Sequence, residues 1–107
     1  MTRLPSGIVV SALLRRINDS GGMGAVLAKG DAQAGGILVV VADRGAEPRL
    51  IERGLGADGR TALIESHRGQ DVDGYWRRRR ARDPDLWVVE LDSPDSERFA
   101  AETLLAN

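Results

Sequence analysis

Five guanidinium groups fall within six residues, at Arg77, Arg78, Arg79, Arg80 and Arg82, beside Tyr75 and Trp76. A basic helix with neighbouring rings can bind phosphates and stack on bases. The same stretch is flanked by Asp71, Asp73, Asp83 and Asp85, so it reads equally as a solvated face whose charge is balanced in place. Helical periodicity separates the arginines. With Val72 at 0°, Tyr75 lies near about 300°, Trp76 near about 40° and Arg79 near about 340°. Arg79 therefore falls inside the apolar stripe, whereas Arg77 and Arg78 point outward and, with Arg80, are the arginines available to a ligand. A guanidinium on a packed side needs a carboxylate or carbonyl, because an unpaired buried charge is very costly. The expected role of Arg79 is a buried structural ion pair, with Glu90, Asp85 or Glu65 as partner.

Other chemistry is thinner. The chain has no cysteine and one histidine, His67, which removes disulfides, thiolate chemistry and paired-histidine metal sites. Gly30 to Gly36, with Asp31 inside it, has the look of a phosphate-cradling loop. It lacks the Gly-x-x-x-x-Gly-Lys-[Ser/Thr] pattern and joins two strands, so it reads as a hairpin turn. The order helix, strands, helix, strand is loosely similar to restriction-endonuclease-like nucleases, which hold magnesium with an acid on one strand and an acid-x-lysine on the next. Asp43 can serve as the first acid, but Glu52-Arg53-Gly54 and Glu65-Ser66-His67 both lack the lysine. His67 near Glu65 is either an acid–base pair or a surface histidine at a strand end. No cofactor is implied.

The elements that must position these residues follow from patterning. A first helix spans 7–19, with Val10, Leu13, Leu14 and Ile17 on one face, Arg15 pointing away and Arg16 at the border. Strands are expected at Gly24–Lys29, Gly36–Ala42, Arg49–Arg53 and Thr61–Ser66, with a turn at Asp43-Arg44-Gly45. Together they suggest an antiparallel meander. Ile37 to Val41 is apolar without alternation, as in a strand covered on both sides, while Arg49–Arg53 alternates and belongs nearer an edge. A second helix spans Asp71–Arg82 and stops at Asp83-Pro84-Asp85. Leu86–Leu91 is a central strand in which Trp87 anchors the core. Ser93-Pro94-Asp95 opens either a last helix, with Phe99, Thr103 and Leu104 facing inward, or a hairpin. The expected whole is a single α+β domain over 1–107: a mostly antiparallel sheet of about five strands, with two to three helices packed chiefly on one face.

Three segments carry a family resemblance: Ser11-Ala12-Leu13-Leu14-Arg15-Arg16, the Gly30-Asp31-Ala32-Gln33-Ala34-Gly35 turn and Asp83-Pro84-Asp85-Leu86-Trp87-Val88-Val89-Glu90. The chain resembles short uncharacterised bacterial proteins, mainly alphaproteobacterial, grouped as domain of unknown function 1491. The resemblance implies a cytoplasmic bacterial protein and brings no activity, cofactor or catalytic residue. Arg15, Asp31, Asp83 and Asp85 are polar where packing does not demand it, which marks a shared surface of first helix, glycine turn and strand approach. The favoured function is a non-enzymatic binding module for an anionic partner, RNA or an acidic protein surface. The alternative is a metal-dependent hydrolase or nuclease. The start of the chain shows no secretory signal and no run long enough to span a membrane, which points to the cytoplasm. A rim near Arg49–Arg53 would favour a homodimer.

Overall fold

The computed structural model describes residues 4–42 and 47–106, so the turn expected at Asp43-Arg44-Gly45 lies outside the described residues. The elements run α1 (Ser6–Asp19), β1 (Met23–Ala28), β2 (Ile37–Ala42), β3 (Arg49–Leu55), β4 (Thr61–Arg68), α2 (Val72–Arg82), β5 (Trp87–Asp92) and α3 (Ser96–Leu104). Val9, Val10, Leu13 and Ile17 form the buried stripe of α1. The helix ends where Gly21 adopts φ 90°, a conformation that strains any residue with a side chain.

The five strands form one sheet in the order β1-β5-β2-β3-β4. β2, β3 and β4 make the expected antiparallel meander, but β1 does not join it. Instead β5 lies between them, antiparallel to β1 and parallel to β2. The physical reason is burial. β2 and β5 are the two strands apolar on both sides, and placing them side by side at the centre removes the most apolar area from water. β1, largely exposed, is left at the rim. β3 is internal, paired on both sides, so the rim expected at Arg49–Arg53 does not exist there.

The double-sided burial follows from the helices. α1 and α3 cover Val39, Val41, Ile51, Trp87, Val89 and Leu91 on one face. α2 covers Leu38, Val40, Leu50, Leu86 and Val88 on the other, through Val72 and Trp76. The last segment is a helix, and its inward line is Ser96, Ala100 and Leu104. Phe99 and Thr103, expected inside, are half-buried at its flank beside α1, where Arg16 donates to the Thr103 hydroxyl and lies over the Phe99 ring.

The glycine turn and the approach to β5 are one structure. The Asp31 N–H donates to the Asp85 carbonyl at 2.9 Å, and the Trp87 indole N–H donates to the Asp31 carbonyl at 2.7 Å. Gly30 and Gly35 flank that Asp85 carbonyl so closely that a Cβ at either would overlap its oxygen. Glycine is required here by space, since neither residue has a positive φ. Because backbone, not a flexible side chain, occupies the space, relief demands movement of β5 itself. Gly35→Ala is expected to cost about 2–3 kcal/mol, read as a lower denaturation midpoint at unchanged m-value. Gly59→Ala, in the exposed β3–β4 turn, is the comparison for backbone strain without crowding, since nothing lies within 4 Å of its Cβ position.

Candidate functional site

α2 is a helix with only two buried residues, Val72 and Trp76, so polar contacts carry much of its attachment. Arg79 reaches β3, where its Nη1 and Nη2 meet the two Glu52 carboxylate oxygens at 2.7 and 3.0 Å. Nη1 also donates to the Tyr75 hydroxyl at 3.3 Å, and the Ser66 hydroxyl donates to Glu52 from β4. Tyr75 stacks on His67 with ring centroids 4.7 Å apart. Two-pronged Arg–carboxylate pairing of this kind fixes direction as well as distance. The Arg79 and Glu52 side chains keep 34% and 17% of their exposure, so the pair is half-buried and still touches solvent.

Glu90, Asp85 and Glu65, the carboxylates expected to meet Arg79, do not. Glu65 faces the opposite side of the sheet and bonds to Arg68 and Arg49. The signal for Glu52 was present in β3: at period two, Leu50 and Glu52 share a face, and Leu50 is core. Burial pushes the Glu52 carboxyl up, but hydrogen bonds from Arg79 and Ser66 and the guanidinium charge outweigh it and hold the group below the usual carboxylate range. The Arg79 guanidinium is raised, chiefly by its hydrogen bonds to Glu52 and against the pull of burial.

The outward arginines divide. Arg78 pairs with Asp71 at 2.9 Å, and that bond holds the exposed Asp71 carboxyl below its ordinary value. Arg77 lies over the Trp76 ring, 5.1 Å from its centroid, and has no carboxylate partner among the described residues. Arg80 donates to the Lys29 carbonyl, and its buried Nε has no partner among the described residues. Arg82 is exposed without an ion pair among the described residues. Of the remaining acids flanking the helix, Asp73 accepts the Trp76 indole N–H, while Asp83 accepts the Asp85 N–H. Neither meets an arginine.

The other site candidates are placed as follows. Asp31 caps its own turn, its carboxylate accepting the Gln33 and Ala34 N–H groups. The turn also holds the start of α1, since the Ser6 and Gly7 N–H groups donate to the Gln33 and Ala32 carbonyls. The Asp85 side chain is exposed. Arg15 is exposed too, but it lies roughly 13 Å up the α1 axis from Ser6 and does not belong to this junction. A cleft of about 490 Å³ opens beneath the junction, where β3 runs past the start of β2. Ser6, Gln33, Glu52, Arg79 and Asp83 are among its polar lining. Asp43 lies outside the described residues, and among the described residues no three acidic or histidine side chains converge as metal ligands.

The sequence pattern of the protein family of unknown function DUF1491 matches residues 4–101, nearly the whole chain. The chain belongs to the DUF1491 family. The crystal structure of a DUF1491 family protein from Caulobacter crescentus CB15 is 37% identical, with a TM-score of 0.78 over 91% of this chain and 94% of that one. An NMR structure of a DUF1491 family protein from the same organism gives 36% identity and a TM-score of 0.77, covering 92% and 94%. The solution structure of protein Atu0922 from A. tumefaciens is 30% identical, with a TM-score of 0.71 and coverage of 86% and 87%. No match was found among curated proteins. The family's fold is therefore shared here along with its sequence pattern, and no helix among the described residues is long and apolar enough to cross a membrane.

The pair at the centre of this DUF1491 site has a pH signature. A depressed folded pKa contributes stability above the unfolded pKa, and that contribution is lost as pH falls through the folded value. Glu52→Gln is expected to lower stability by about 2 kcal/mol near neutral pH, about 10 °C in Tm. The gap from the parent should close as pH drops below the carboxylate range, in melts followed by circular dichroism. A gap that stays constant across that range would show that charge pairing is not what Glu52 supplies.

Proposed function

We propose that this DUF1491 chain is a non-enzymatic, cytoplasmic binding module that holds an acidic protein segment against the flank of α2 carrying Arg77 and Arg80. The observation behind this reading is the unequal pairing of the α2 arginines. Arg79 and Arg78 are matched to carboxylates, whereas Arg77 and Arg80 are held in position by a ring and by a carbonyl, which leave their charge uncancelled. They stand one helical turn apart on the same side, with Asp73 behind them in the preceding turn. Cations positioned before a partner arrives lose less freedom on binding.

An acidic protein is favoured over RNA because, among the described residues, neither aromatic side chain of α2 offers an open face for stacking. Trp76 is 9% exposed and lies under Arg77, and Tyr75 is stacked on His67. Base stacking is a main source of affinity for single strands, and a chain of net charge −1 supplies little general attraction for a polyanion. The hydrolase reading has less support, because the Glu52 carboxylate is already committed to Arg79 and Ser66.

Fluorescence anisotropy with a labelled poly-glutamate peptide tests this directly. Binding should weaken steeply as salt rises, and Arg77→Glu should weaken it at least about fivefold without moving the melting temperature, whereas Arg82→Glu, on the other side of the helix, should change it little. Tighter binding of a single-stranded RNA of equal charge would overturn the choice of partner. Unchanged peptide affinity in the Arg77→Glu variant would remove the α2 flank as the site.

A further inference from the structure

The two rims of the sheet are built differently. β4 carries Glu65, His67 and Arg68 along its length, and its pairing with β3 shifts register between Leu50 and Ile51. Charges and irregularities of this kind discourage addition of another strand. β1 has no charged residue and no proline between Met23 and Ala28. Among the described residues it pairs only with β5, and Met23, Val26 and Leu27 are 73%, 42% and 37% exposed. Its one irregularity falls between Val26 and Ala28, which leaves Met23–Val26 as regular edge with an unpaired outer side.

The ends of β1 carry opposite charge. Lys29, the chain's one lysine, follows its last residue. At the Met23 end, a cleft of about 420 Å³ is lined by Ser20, Gly22, Met23, Asp92 and Asp95. Asp92 has no ion-pair partner among the described residues, while Asp95 meets Arg98 at 3.4 Å.

We infer that β1 is a homodimer interface, pairing antiparallel with β1 of a second copy about a two-fold axis. The occupant follows from charge. An antiparallel pairing of the strand with itself brings Lys29 of each copy to the Asp92–Asp95 end of the other. A parallel pairing would set lysine beside lysine. The edge is thus complementary to its own inverted copy, as a closed two-fold contact requires. The net charge of −1 per chain adds little repulsion between copies. Pairing would extend the sheet through both molecules and cover the exposed Met23 and Val26 side chains.

Sedimentation velocity from roughly micromolar to millimolar concentration tests the interface. The unaltered chain should form dimers, and Val26→Lys and Lys29→Glu should each weaken the dimer at least about tenfold. Combining Lys29→Glu with Asp92→Lys should recover much of that loss, and Arg68→Glu on the opposite rim should change nothing. All four positions are exposed or half-exposed, so the monomer should keep its circular-dichroism spectrum and melt. A chain that sediments as a monomer throughout, or a dimer indifferent to both β1 substitutions, would overturn the inference.

Discussion

The approach of the Asp85 carbonyl to the backbone of the glycine turn sets where β5 enters the sheet. That oxygen lies against Gly30 and Gly35, accepts the Asp31 N–H, and stands two residues before Trp87, whose indole returns to the Asp31 carbonyl. Backbone groups buried at such a junction must find partners, and these satisfy one another. The turn also receives the first N–H groups of α1. One small loop therefore ties the entry of the central parallel strand to the start of the helix above it. Segments far apart in sequence owe their composition to this contact: the glycines to space, Asp31 to the turn, Trp87 to the core.

The α2 face is held by a different balance. Two buried apolar side chains are few for a helix of 11 residues, and most helical stability in proteins comes from such a packed face. The deficit is offset by directional contacts: the forked Arg79–Glu52 pair, the Tyr75–His67 stack, the Trp76–Asp73 bond and the Arg80–Lys29 carbonyl bond. The Arg79–Glu52 pair sits where screening is reduced but desolvation is incomplete, the regime in which a well-formed pair contributes without the full penalty of burial. Because Ser66 also bonds to Glu52, the same carboxylate joins α2, β3 and β4.

These contacts sort one run of arginines by partner. A helix lying on a sheet presents successive residues about 100° apart, so adjacent positions meet different surroundings. Arg79 is directed down onto β3, Arg78 back along the helix to Asp71, Arg80 toward the end of β1 and Arg77 over the Trp76 ring. Fixing the first two leaves the last two with charge to spare. The sheet rim beside Arg80, β1, is largely exposed.

Local patterns in the sequence determined the first two helices, the five strands and their approximate bounds, and left the last segment open between helix and hairpin, because period and turn chemistry are properties of neighbouring residues. They also placed Arg79 on the packed side of α2 and Trp87 in the core, since both follow from angle and composition alone. Strand order was beyond them. The position of β5 between β1 and β2, the internal place of β3, and Glu52 rather than Glu90, Asp85 or Glu65 as the partner of Arg79 all depend on residues distant in the chain. Only the tertiary structure decides those, because burial rewards whichever pairing covers two-sided apolar strands best, and that choice is made between segments that carry no record of one another.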